Sequence, residues 1–193
     1  MAAVSDWQPP GGETGKSWAR RMHDGFFTRW LAGPVILDVG CGAGRVLRES
    51  TGVEKDYPGY DGVHLPFRDG SVDTVYSSHM LEHVEDPAPV IRDWHRVLRV
   101  GGRIICIVPH QFLYEKRIDL PSQWNADHKR FYTPACLLCE FEEALSPNSY
   151  RVRHLADNDR EFKYDIGPEA HSDGCYEIEL VVEKIAPPDW QLA

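Results

Sequence analysis

Val35-Ile-Leu-Asp38-Val-Gly40-Cys41-Gly42-Ala-Gly44-Arg-Val-Leu-Arg48 is the stretch whose reading decides the fold. Its first residues, Val35, Ile36, Leu37 and Val39, form a short apolar run rich in β-branched side chains, which predicts a buried strand. Glycines follow at alternate positions, 40, 42 and 44, and the residues from Arg45 to Glu49 read as the opening of a short helix. A strand, a glycine turn and a helix let backbone approach a ligand with no side chain between them. A dinucleotide-binding turn wants its third glycine three residues after the second, and Arg45 stands there instead. Asp38 closes the strand, where its carboxylate can hold an amine beside the ligand. That placement suits a nucleoside bearing an amino acid better than a pyrophosphate.

Asp38-Val-Gly-Cys-Gly-Ala-Gly44 resembles the cofactor loop of the class I S-adenosylmethionine-dependent methyltransferases. Further stretches agree in order: Leu65-Pro-Phe67, Ser71-Val-Asp-Thr-Val75, Met80-Leu-Glu-His-Val84 and Arg96-Val-Leu-Arg-Val-Gly-Gly102. The likeness is firm over roughly residues 33 to 110 and looser beyond. It implies a three-layer, Rossmann-like α/β fold with S-adenosyl-L-methionine as donor and S-adenosyl-L-homocysteine as product. By the same resemblance the cofactor lies on Asp38, Gly40, Cys41, Gly42 and Gly44. Asp61 meets its ribose or adenine, with Glu54 or Asp56 as alternatives at the ribose, and His64, Leu65, Ser77 and His79 complete the pocket.

The 193 residues suffice for one α/β domain and are too few for two ordinary ones. With 42% hydrophobic and 26% charged residues, the composition is that of an ordinary globular protein. No apolar run reaches bilayer length, and the N-terminus shows no basic-then-apolar signal pattern. A net charge of −9 argues against a nucleic-acid backbone as the main partner. Five cysteines without an export signal predict reduced thiols and a cytoplasmic location.

Residues 1–15, with Pro9-Pro-Gly-Gly12, read as a mobile lead-in. Gly15-Lys-Ser17 is not a phosphate loop, because Pro10 stands where that motif needs glycine. From 17 to 31, Trp18, Met22, Phe26, Phe27 and Trp30 recur at helical spacing and predict one helix. It either packs on the sheet or acts as a lid that brings Trp18, Arg20 or Arg21 to the ligand. The short route from Asp38 to Leu65 predicts a sheet shortened around its second and third strands. Asp86-Pro87 starts a helix that Gly101-Gly102 ends, and residues 103–108 form a near-continuous apolar strand. Thr133-Pro134 starts another helix. Residues 150–155 and 176–185 read as an antiparallel closing pair, and the mainly parallel sheet thus carries a C-terminal hairpin.

Residues 110–132 are polar, aromatic and aperiodic, which suggests an acceptor-facing insertion. An oxygen acceptor of high pKa needs a base, so His110 and His128 are the catalytic candidates. Tyr114, Trp124 and Tyr132 are candidates for a wall against the acceptor, with core burial as the alternative. No metal is expected: the nine histidines are scattered, and Cys136 and Cys139 read as buried thiols on a helix. Glu177, Glu179 and Glu183 read as a solvated strand face. The expectation is a single-domain methyltransferase acting on a small-molecule or sugar-like acceptor through oxygen. A module that binds the nucleoside without turning over is the alternative, and a nicotinamide-dependent oxidoreductase is disfavoured by Arg45.

Overall fold

The computed structural model describes residues 7–190. A six-stranded sheet runs in the order β2-β1-β3-β4-β6-β5. Strands β1 (Ile36–Val39), β2 (Thr51–Val53), β3 (Val72–Ser78) and β4 (Leu98–Pro109) pair in parallel. β6 (Glu177–Lys184) lies antiparallel between β4 and β5 (Tyr150–Asn158), which makes the C-terminal hairpin.

The alternation along β4 shows why the domain has three layers. Ile104, Cys106 and Val108 enter a core beneath α3 (Pro87–Val97) and α4 (Pro134–Ala144), beside Ile91, Trp94, Leu137 and Phe141. Ile105 and Ile107 point the other way, onto Phe27 and Tyr76, with Trp18, Phe26 and Trp30 packed around them. That second face is covered by α1 (Gly12–His23) and α2 (Phe26–Trp30). A strand with apolar side chains on both faces belongs in the middle of such a sheet.

Both long helices on the first face start at side-chain caps. The Asp86 carboxylate accepts from Ala88 N, the Thr133 hydroxyl accepts from Cys136 N, and a proline opens each first turn.

Several expectations need correction. The helix expected over 17–31 is two helices that bracket Gly25, whose φ of +74° breaks the first one off. No helix follows the glycine turn: six residues separate Gly44 from β2, and turns fill them. α3 ends at Val97, and the chain continues through Gly101-Gly102 as β4. Between Val53 and Val72 the structure holds neither helix nor strand, as the short route demanded.

Residues 1–6 of the lead-in lie outside the described residues, but residues 7–15 are laid against the glycine turn. Arg45 N donates to Gln8 O at 3.0 Å, and the Trp7 indole donates to Arg45 O at 3.1 Å.

Glu177 and Glu179 are buried, not solvated. Arg21, buried on α1, donates to Glu177 at 2.5 Å and to Glu179 at 2.7 Å, and Ser17 donates to Glu177 at 2.6 Å. Cys136 and Cys139 are exposed, because α4 turns Leu137, Phe141 and Ala144 inward and those two thiols outward.

Candidate functional site

The site lies at the carboxyl ends of β1, β2 and β3, where an open parallel sheet leaves a crevice. Gly40 leaves β1 with φ +76° and donates to Val53 O at 2.9 Å, which ties the turn to the end of β2. A Cβ on Gly40 would stand 2.6 Å from the Met80 side chain, so both the left-handed backbone and the close approach require glycine.

Two cavities meet at Gly40. The first, about 430 Å³, is walled by Asp38, the turn from Gly40 to Gly44, Tyr76, Ser78 and His79. Residues from Pro10 to Thr14 close it from above. The second, about 240 Å³, is walled by Val53, Glu54, Tyr60, Gly62, Met80 and His83, among others. Glu54, the first residue after β2, reaches back and accepts from Gly42 N at 2.5 Å, so its carboxylate sits where the two cavities join.

Asp38 is buried and accepts from Val46 N at 2.6 Å. Burial pushes its carboxyl up to about 7, against the pull of that N–H, and nearby Glu54 adds to the rise. A carboxylate poised in this way favours a cationic ligand that completes its ionisation.

The expected cofactor residues divide. Asp38, Gly40, Cys41, Gly42, Gly44 and His79 all line the first cavity. Ser77 is buried in β3, between the wall residues Tyr76 and Ser78. Asp61 is exposed and spends its carboxylate on its own turn, accepting from Val63 N and His64 N and pairing with the His64 ring. His64 is exposed with it, and Leu65 is buried with its N–H on Asp93. Neither cavity counts Asp61, His64 or Leu65 among its wall residues, whereas Glu54, Tyr60, Met80 and His83 hold those places. Its position directly after β2 is the signal that marks Glu54, the alternative to Asp61 at the ribose.

The acceptor candidates are also redistributed. His110 Nδ1 accepts from Phe112 N at 3.0 Å and from Leu113 N at 3.3 Å, capping the single turn Gln111–Glu115. Its Nε2 therefore carries the proton and faces Asp157 at 3.6 Å, and desolvation lowers the ring's pKa. A ring with its lone pair already shared between two N–H groups is a cap, not a general base.

His128 is buried, with Nδ1 paired to Glu115 and Nε2 turned towards Glu82, 4.0 Å away, instead of towards either cavity. Tyr132 belongs to the main core at 1% exposure and cannot be an acceptor wall. Tyr114 is buried, with its ring against Tyr176 and His171, and the Trp124 indole donates to Tyr114 O at 2.8 Å. Of the aromatic rings in the segment 110–132, Tyr114 and Tyr132 are buried and Phe112 is exposed.

The histidines that looked scattered converge. His79, His83 and His128 all face the buried Glu82, because Lys129 N donates to Glu82 O at 2.8 Å and draws the 128 segment beside the turn Leu81–His83.

The family described as "Methyltransferase domain" matches residues 53–106. A protein of Mycolicibacterium smegmatis named "Probable S-adenosylmethionine-dependent methyltransferase" is 31% identical over 160 residues, covering 70% of this chain and 60% of that one. A "Ubiquinone biosynthesis O-methyltransferase" of Aeromonas salmonicida is 31% identical over 151 residues, covering 59% of this chain and 63% of its own length. The chain thus spans about three-fifths of the length of these curated relatives.

Among solved structures, an S-adenosylmethionine-dependent methyltransferase from Aquifex aeolicus superposes with a TM-score of 0.56 at 15% identity, covering 85% of this chain and 89% of that one. Another from Archaeoglobus fulgidus gives 0.55 at 15%, covering 87% and 93%. At such identities these two matches establish the fold.

Proposed function

We propose that this chain, which belongs to the class I S-adenosylmethionine-dependent methyltransferases, binds S-adenosylmethionine across its two joined cavities and moves the methyl group to an oxygen of a small hydroxylated molecule. The observation that carries the reading is that the two cavities share the Gly40 wall, with Asp38 lining one and Glu54 lining the other and bonded to Gly42 N of the first. The amino-acid end of the donor is assigned to the Asp38 cavity, the ribose hydroxyls to Glu54 and the adenine to the space between Tyr60 and Met80.

Methyl transfer from a sulfonium is an in-line displacement. The hydroxyl oxygen forms a bond to the methyl carbon as the carbon–sulfur bond breaks with its electron pair staying on sulfur as a neutral thioether, and the hydroxyl proton passes to solvent water. The protein's contribution is to hold the two reactants collinear and close. His79 and His83 stand on the cavity walls beside the space left for an acceptor.

Two curated relatives at about this identity carry O-methyltransferase names, which supports oxygen as the acceptor atom. The support for a sugar-like acceptor weakens, since Tyr114 and Tyr132 are buried.

The test is calorimetric titration with S-adenosylhomocysteine, with NAD as the control ligand. A dissociation constant near ~1 µM for the first, equivalent to roughly −8 kcal/mol, with none for NAD, is the expected outcome. Glu54→Ala should weaken that binding by about tenfold, the order of one lost charge-assisted hydrogen-bonding group, whereas Asp61→Ala should leave it within about twofold. The reverse ranking would return the ribose to Asp61. A screen of phenols and sugars with labelled donor then reads the acceptor, and methylation of amines alone would refute oxygen.

A second reading, a module that binds the nucleoside without turnover, is favoured by the missing helix after Gly44 and by the Glu54 carboxylate already on Gly42 N. Donor binding with no transfer to any acceptor class would select it.

A further inference from the structure

Glu82 is fully buried, and neither of its carboxylate oxygens has a hydrogen-bond partner among the described residues. A carboxylate removed from water with nothing to pair it is a costly arrangement that calls for an explanation. Around its Oε1 stand three ring nitrogens: His79 Nδ1 at 3.8 Å, His83 Nε2 at 3.9 Å and His128 Nε2 at 4.0 Å.

These separations are too long for hydrogen bonds. They are close to the spacing of ligands gathered round an ion, since nitrogen and oxygen donors held at about 2.0–2.1 Å in a tetrahedron stand roughly 3.4 Å apart. The donor atoms of Glu82, His83 and His128 all lie within 4.8 Å of one another.

The far side of each ring is held as well. His79 Nε2 pairs with Glu177 at 3.0 Å, His83 Nδ1 donates to Asp127 O at 3.3 Å, and His128 Nδ1 pairs with Glu115. Each imidazole therefore has one nitrogen tied to a carboxylate or carbonyl and the other within 4.0 Å of Glu82 Oε1, the tethering that metal-binding histidines show. His79 also holds φ at +54°, a backbone conformation that few non-glycine residues adopt and that clusters at functional sites.

We propose that Glu82, His83 and His128 bind a divalent transition-metal ion of the zinc class, with His79 close beside the site. Imidazole nitrogens with one carboxylate suit zinc and its first-row neighbours and do not suit magnesium or calcium, which take oxygen donors. The ion accounts for the orphaned Oε1 of Glu82, around which the ring nitrogens stand. Because His79 and His83 also line the two cavities, it stands beside the space assigned to the methyl donor.

The exposed Cys136 and Cys139 could take up zinc independently, so the test uses the full chain carrying Cys136→Ser and Cys139→Ser. Zinc is titrated calorimetrically and cobalt(II) spectroscopically. One equivalent should bind, and cobalt should show visible d–d bands without a thiolate charge-transfer band. Glu82→Gln and His128→Ala should weaken zinc binding by roughly 100-fold or more, and Glu115→Gln, which only orients His128, by about tenfold.

The half-exposed His83→Ala keeps the test decisive should a core variant fail to fold. No stoichiometric binding, or undiminished binding in both His83→Ala and Glu82→Gln, would overturn the site. The titration needs no methyl donor, so its failure leaves the methyl-transfer reading untouched.

Discussion

Asp38 shows how one residue can couple ligand binding to pH. Its carboxyl is pushed up to about 7 by burial, so in the free protein it is mostly protonated below that pH. A group whose folded pKa is raised favours the folded state most below its ordinary range, near pH 4, and this contribution is lost as the pH rises through about 7. Ligand binding runs the other way, because the donor's ammonium prefers the anion. The affinity for S-adenosylhomocysteine should therefore rise about tenfold between pH 6 and pH 8 and level off above. Asp38→Asn should flatten the profile, and calorimetry across that range reads both. A flat wild-type profile would remove Asp38 from the ligand's amine. Asp38 and the three glycines were legible from local chemistry, since a strand end and a glycine turn are specified within seven residues. His110 and Tyr132 were not, because a cap and a core ring look the same in sequence as a base and a binding wall.

At the scale of elements, the lead-in shapes the site most. A Cβ on Gly44 would stand 2.4 Å from Pro9 O and 2.8 Å from Pro10 Cα, so the close approach of the two backbones depends on that glycine. Gly44→Ala should push residues 9–14 off the first cavity and weaken S-adenosylhomocysteine binding by about tenfold, the effect of an overpacked contact worth ~1–3 kcal/mol. The melting temperature should fall little, because the displaced segment lies outside the core. Unchanged affinity would mean that the segment is not a roof. The expected helix at 45–49 is absent, and bends and turns fill the six residues before β2, room for fewer than two turns of helix. In its place Val46 N finds the Asp38 carboxylate, which connects a shortened element directly to the site.

For the molecule as a whole, α1 is fastened to the sheet through charge. Arg21 reaches across to Glu177 and Glu179 on β6, and Glu177 also receives His79 from the end of β3. Arg21→Ala would leave two buried carboxylates without their cation and should cost about 3–5 kcal/mol. For a chain of this size that is a fall in melting temperature of the order of 10 °C, readable by thermal unfolding. A shift near zero would mean that water or a neighbouring base replaces the guanidinium. The alternating Glu177-Ile-Glu-Leu pattern predicted a wet strand face, and it misled because alternation reports polarity and says nothing of what packs over it. Glu177 and Glu179 are covered by a helix whose only buried cation is placed to meet them.

What the sequence determined by itself was whatever is encoded by neighbours in the chain. This includes the strand and glycine turn at 36–44, the capped starts of α3 and α4, the double-sided apolar strand β4, the shortened route to Leu65 and the hairpin that closes the sheet. Each is set by period, cap or turn chemistry acting over a few residues. Only the tertiary structure decided which polar groups meet. Glu54 reaches the glycine turn because β2 lies beside β1, and Glu82 meets His79, His83 and His128 because the 128 segment is hydrogen-bonded to the turn after β3. Electrostatic and metal-binding geometry acts through distances of a few ångströms in space, and residues 45 positions apart carry no mark in the sequence that they will be neighbours.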